Sequence, residues 1–548
     1  MSSVGDRFFR SSPLQLTVFM LAACTVSAIV HYELLWDFVN YHYYNPYAFL
    51  NGRLNYDITP AGSVNTFFNP LMDIPAYLLI QALNDHPLVF SFFMGVPYGL
   101  LLFVVFKVIC LFFDTSAFPG RCAAVAALLI SATGFATLAQ VSTTTNEVPL
   151  SVLAVASFYL LLKDVAFTQA SRPKTYIIAG FLLGAAFGLK LNFVLYCAST
   201  GLTLILFYRT LSRPKTLIAL FSLAGLAGFL LFNGFWMWIM WKNYGNPVFP
   251  FANAVFKSPY FDPVNYSDPL YLKDRTFWET VFYPILLSFK FMFRKDYGTP
   301  LALADFRYAA GFLLAFGYLF RLVRKQAGSR AGLFLFVWLS LSYVLWLLNF
   351  SILRYLIPVE TLLSIPIVKA FRMIPKPKSI PGEGAYYALA VFGLFIFLTT
   401  MVFSQNYGQR KTDQGVVSFE RIVLPDDTLA LVYGAPAAAV IPRLAEETKN
   451  IRFLGNTART MRTINGTDFI LRGRFTDEKA EIIRNHKGLT VSFVSISFAQ
   501  LQEIMDTSPE PHICHQLKNS FWSLLFICVP ERLKSQILPD SYPSEPKL

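Results

Sequence analysis

Charged side chains are scarce in this chain. They make up 14% of its 548 residues, where a soluble domain carries about 25%, and hydrophobic residues reach 55% with a mean hydropathy of +0.48. That balance excludes a water-soluble body of this length. Cysteine is also sparse, with six in all and neither a Cys-x-x-Cys pair nor a Cys/His spacing suited to a metal. Cys24, Cys110, Cys122 and Cys197 lie in or beside apolar runs and read as packing residues. Cys514 and Cys528 fall in the more polar C-terminal part, where export would permit a disulfide. Internal repeats and low-complexity tracts are missing, which removes the signature of a transporter built from related halves.

What the chain has instead is a series of apolar runs near the length of about 20 residues that crosses a bilayer. Spans are expected at 13–31, 88–113, 121–140, 148–163, 176–190, 193–208, 217–241, 308–320, 331–348, 355–369 and 385–403. The first run lacks a small-residue cleavage site and leads directly into His31-Tyr32-Glu33, so it reads as a retained helix and not a signal peptide. Alternate connections between these spans hold seventeen basic and four acidic residues, an excess equal to the entire net charge of +13. The basic charge is therefore a positive-inside signature, and it leaves no patch for nucleic acid to bind. It implies a cytoplasmic N-terminus and, with about eleven spans, an exported C-terminus.

Two large loops and a C-terminal segment stand outside the spans. The first loop, 32–87, is rich in aromatics, asparagine and proline, with helix-length pieces at 43–51 and 74–84 expected to lie along the interface. Its Trp36, Tyr41, Tyr43, Tyr44, Tyr47, Phe67 and Phe68 read chiefly as an interfacial aromatic belt, with some free to stack on sugar rings. The second loop, 242–307, contains an apolar stretch at 278–293 that Glu279, Pro284 and Lys290 interrupt, so it reads as interfacial or re-entrant. Beyond 408 the character changes. Strand-like runs at 428–433 and 489–494 and helix-like stretches at 438–447 and 476–486 indicate a small α/β domain within 409–548, ending in a loose tail from Pro539. The expected organisation is thus a transmembrane region, 1–408, and an extracytoplasmic α/β domain, 409–548.

Four ionisable residues stand at span ends on one side of this topology: Asp37 after span 1, Glu147 opening span 4, Lys190 between spans 5 and 6, and Arg354 opening span 10. Charges at membrane depth are costly and tend to line cavities. Singly, each has a plain structural reading as a helix-end anchor or cap. Together, two carboxylates and two cations could activate an acceptor hydroxyl and hold a phosphate leaving group. Arg294-Lys295 sit on the same side against the charge rule, and read equally as phosphate binders or as a loop charge run. His42 and His86 have no ligand-spaced partner and read as structural.

An acid just after the first span, a second before span 4, and Arg354-Tyr355 opening a late span with Pro358 behind it resemble the GT-C superfamily of integral-membrane glycosyltransferases. The glycine-rich run Ala179 to Lys190 is similar to the helix that ends in lysine in many members. Gly245-Asn246-Pro247-Val248-Phe249-Pro250-Phe251 resembles a loop signature of uncharacterised bacterial ones. The resemblance covers about residues 10–410. It implies a polytopic helical GT-C-like fold with a small C-terminal α/β domain in the periplasm of the bacterial inner membrane. It implies a polyprenyl-phosphate-linked sugar as donor, a cell-envelope glycan, lipid or protein as acceptor, and inverting transfer with Asp37 as base. By the same resemblance Glu147 and Asn146 would support the acceptor or a metal. Arg354 and Lys190, with Arg294 and Lys295, would hold the donor phosphate, and Trp36, Tyr41 and Tyr355 would line the cavity. A divalent Mg, Mn or Ca ion is used by some members. Here Phe38 follows Asp37 where a second acid is expected, and Asn146-Glu147 is half of an acidic pair, so the metal motif is incomplete. Two rivals are an O-antigen polymerase- or ligase-like enzyme using polyprenyl-diphosphate oligosaccharide, and a lipid or glycan transporter.

Overall fold

The computed structural model describes residues 4–30, 36–62, 64–265, 271, 275–293, 295, 297–299, 303–324, 328–371, 415–434, 437–455, 460–462, 468–470, 473–495, 511–519 and 525–538. Helices stand at each of the first ten expected spans: α1 (Ser12–Val30), α2 (Pro87–Phe112, turning at Gly95), α3 (Phe118–Ala132), α4 (Glu147–Leu162), α5 (Pro173–Leu189), α6 (Val194–Leu206), α7 (Pro214–Tyr244), α8 (Arg307–Val323), α9 (Arg330–Asn349), and the pair α10 (Ile357–Leu362) and α11 (Ser364–Phe371). The stretch 385–403, Arg294 and the tail from Pro539 lie outside the described residues. Among those described, α1, α2, α4 with its extension to Thr168, α7 and α9 are long and apolar enough to cross a membrane. Leu223, Leu226, Leu230, Leu231 and Trp238 of α7 are exposed, as expected of a helix facing hydrocarbon.

Two departures from the expected spans have identifiable causes. A helix over 121–140 is expected, yet α3 stops at Ala132 because a buried arginine takes its last carbonyls. Arg307 donates from Nη1 to Ile130 O and from Nη2 to Thr133 O, 2.7 Å each. The glycine run of α5 also acquires a reason. A Cβ on Gly184 would stand 1.9 Å from Gly225 O, and one on Gly180 2.1 Å from Phe221 O, so α5 and α7 touch backbone to backbone. This close crossing fixes the end of α5, where Lys190 emerges.

Helices Ile74–Leu83 and Tyr44–Leu50 occupy the expected places in the first loop, while 277–292 is broken into three short helical turns. The C-terminal region forms β1 (Leu429–Tyr433), α12 (Ile441–Glu447), β2 (Arg452–Gly455), β3 (Thr460–Arg462), β4 (Asp468–Ile470), α13 (Arg474–Asn485), β5 (Thr490–Ser495), β6 (His512–Gln516) and β7 (Leu525–Pro530). Five strands make one sheet in the order β2-β1-β5-β7-β6, parallel through β2, β1 and β5 and antiparallel beyond. Cys514 and Cys528, opposite one another on β6 and β7, are joined in a disulfide.

This sheet is completed by the first loop. Ile58 pairs with Leu454 at the edge strand β2, donating to Phe453 O (3.0 Å) and accepting from Gly455 N (2.8 Å). The bridge covers an edge that would otherwise offer free N–H and C=O groups. Beside it Asp57 accepts from both Arg53 Nε and Nη2 (2.8 Å each), from Tyr44 Oη and from Phe453 N. Tyr43, Tyr44 and Tyr47 share one apolar core with Val432, Phe453 and Phe493. The reading of these tyrosines as an interfacial belt is therefore corrected. A sheet must bury a face, and the aromatic loop supplies the covering. Phe67 likewise packs with Phe249, Phe261 and Phe475, uniting both loops with α13.

Lys479 of α13 donates to Gly455 O at 2.7 Å, and burial pulls its ammonium from the ordinary 10.5 down to about 8. Charge on this lysine opposes folding below pH 8. Between 8 and 10.5 the unfolded chain binds more protons, so stability should rise with pH. Thermal unfolding should show wild type gaining on Lys479→Met as pH goes from 8 to 10. A constant difference would contradict this.

Candidate active site

Four turns of chain carry the charged residues together. Asp37 opens a helical turn that continues as the π-helical segment Phe38–His42. Glu147 is the first residue of α4, where the helix dipole favours an acid. Lys190 caps α5, and Arg354 lies in the 3-10 turn Leu353–Leu356 just before α10. The three intervals between them exceed 40 residues each, yet the side chains form one chain of ion pairs. Arg354 Nη1 is 2.7 Å from Asp37 Oδ2, Arg354 Nε is 3.1 Å from Glu147 Oε1, and Lys190 Nζ is 2.6 Å from that same Oε1.

Burial grades across the cluster. The Glu147 side chain is 0% exposed, Asp37 12%, Lys190 20% and Arg354 27%. Glu147 is thus the most enclosed member and the cations are the more accessible ones. Both Lys190 and Arg354 lie 5.7 Å from the Tyr355 ring, and the Tyr355 carbonyl accepts from Tyr196 Oη, which fixes this turn to α6. Tyr41 is buried in the electrostatic range of Asp37 and Arg354. Burial first, then the Asp37 carboxylate, push its phenol upward, so it stays a hydroxyl. Trp36 is partly buried against the core beneath the sheet.

A second group lies behind the first. Asp73 Oδ1 accepts from Asn146 Nδ2 (2.7 Å) and is 2.6 Å from His42 Nδ1, all three being buried. Asp73 therefore ties the segment carrying Asp37 to the residue before Glu147. Asn146, expected to support acceptor or metal, here holds the two loops in register. No local spacing links His42 to Asp73; the only sequence signal is an acid in an aromatic loop. His86 is exposed. Lys295, expected beside a donor phosphate, is paired at 2.8 Å with Glu279, whose own position is set by a capping box with Thr276.

Among the described residues no three His, Cys, Asp or Glu side chains gather as a metal ion needs. Two cations lie on Glu147 and one on Asp37, and these are not surroundings into which a divalent cation fits.

The arrangement defines a membrane-embedded fold with a mixed-charge site at one end of its helices. No family model matches the chain, and no curated protein matches it in sequence. Among solved structures it is similar to ArnT from Cupriavidus metallidurans bound to undecaprenyl phosphate, with 12% identity and a TM-score of 0.54 over 93% of this chain and 97% of that one. The apo form of the same protein gives 11% and 0.51 over the same shares. The likeness establishes the fold: a mostly helical architecture shared with that protein, with a small C-terminal sheet domain.

Proposed function

We propose that this chain is a membrane glycosyltransferase that moves a sugar from a polyprenyl phosphate to an acceptor of the bacterial cell envelope, on the periplasmic face of the inner membrane. The observation that carries the reading is the convergence of Asp37, Glu147, Lys190 and Arg354 in a fold shared with a protein whose structure holds undecaprenyl phosphate. The acceptor hydroxyl gives its proton to the Asp37 carboxylate as its oxygen attacks the anomeric carbon. The bond from that carbon to the phosphate oxygen breaks on the opposite side, inverting the centre. The electron pair leaves with the lipid phosphate, whose charge Arg354 and Lys190 neutralise. Glu147 holds these cations in place.

A strain lacking the chain should accumulate a polyprenyl-phosphate-linked sugar and lose one envelope sugar, read by mass spectrometry of lipid extracts and glycans. Identical profiles with and without the chain would remove the reading.

A further inference from the structure

Arg354 is shared between two carboxylates, and they differ in burial. Glu147 is fully enclosed and holds Lys190 as well as Arg354, whereas Asp37 is partly open and Arg354, at 27%, is the most exposed member. Within the cluster the two cations are the members most accessible to a phosphate. The phosphate offers several oxygens to a guanidinium, a stronger and more flexible acceptor than a single carboxylate oxygen. Arg354 Nη1, 2.7 Å from Asp37 Oδ2, meanwhile stands on the approach that an acceptor hydroxyl would take to that oxygen. While the guanidinium is there, that oxygen is shielded from the acceptor. The contact to Glu147 uses a different nitrogen, Nε, so Arg354 can release Asp37 while keeping its anchor.

We propose that donor phosphate and Asp37 compete for Arg354, so that the base is masked until a lipid-phosphate donor is seated, with Glu147 as the fixed anchor on which Arg354 swings. This rests on the reading of Arg354 as a phosphate-binding residue. It makes the base available only after the donor is seated, and it keeps an unmasked base from an empty site.

The test is equilibrium binding of undecaprenyl phosphate alone to the detergent-purified full chain. Asp37→Asn removes the competitor and should tighten binding about tenfold, within the usual range for coupled sites. Asp37→Glu keeps the negative charge and should bind as wild type does. Asp37→Ser stands in if the asparagine variant does not fold. The gain must act through Arg354, so it should vanish when Asp37→Asn is made in an Arg354→Gln background. Unchanged affinity in Asp37→Asn overturns the competition. A gain that survives in the Arg354→Gln background reduces to plain charge repulsion and overturns it too. Turnover is scored separately: an asparagine variant that binds tighter yet transfers sugar normally would keep the competition and refute Asp37 as base. Absence of binding to any form would overturn the donor reading and the competition with it.

Discussion

Asparagine at position 37 is expected to lower turnover by a factor of about 10²–10⁴, the usual contribution of a positioned general base. The substitution keeps the volume and an acceptor oxygen but removes the capacity to take a proton. The ion pairs of Arg354 and Lys190 with Glu147 are left standing, and so is the buried Tyr41 hydroxyl. Residual transfer should therefore persist, as charge stabilisation of the leaving group continues without the base. Asp37→Glu, which restores a carboxylate one methylene further out, should recover part of the loss. The measurement is release of polyprenyl phosphate from a polyprenyl-phosphate sugar, normalised to folded protein. The loss should fall on kcat, because donor affinity moves in the opposite direction. Full turnover by the asparagine variant would disqualify Asp37.

How much of this was legible beforehand depends on the range of the forces involved. Apolar runs are local, so helices fall where hydropathy places them, and the strand-like runs at 428–433 and 489–494 do become β1 and β5. The gathering of Asp37, Glu147, Lys190 and Arg354 was visible because sidedness is a coarse property that net charge in alternate loops reports. Contacts between distant segments left no such trace. Ile58 reaching Leu454 joins residues 396 positions apart, as does the Asp57 bond to Phe453, and neither has a spacing to read. The tyrosines of the first loop were misassigned for the same reason. Amphipathic rings suit a bilayer interface and the underside of a sheet equally well, and composition does not choose between them. Lys295 reads in the sequence as a lone cation, and its Glu279 partner, 16 residues away, shows only in the fold. Glu360, by contrast, carried a usable signal, since an acid inside an expected span must have partners.

Those partners lead to the largest expected loss of stability, at Arg307. This side chain is completely buried, 2.7 Å from Asp305 Oδ1 through Nε and 3.8 Å from Glu360 Oε1 through Nη1. Around the break after α3 each of the three charged side chains binds backbone. Arg307 satisfies Ile130 O and Thr133 O, Asp305 accepts from Phe135 N (3.1 Å), and Glu360 accepts from Ala136 N (2.9 Å), Thr137 N (3.3 Å) and Tyr308 Oη (2.6 Å). Gly134 is required there, since a Cβ would stand 1.3 Å from Glu360 Oε1. A buried ion pair is often replaceable by apolar residues at little cost, but here apolar replacements would orphan the peptide groups that the charges serve. Arg307→Ala leaves two buried carboxylates without their cation and should cost about 3–5 kcal/mol. Glu360→Gln keeps an acceptor oxygen for one of the Ala136 and Thr137 amides and leaves no buried charge, so it should cost less. Both are measured by thermal unfolding in detergent. The losses should appear as less folded protein with normal turnover per folded molecule, the opposite of the pattern at Asp37. Equal stability of Arg307→Ala and wild type would show that the break after α3 is held by something else.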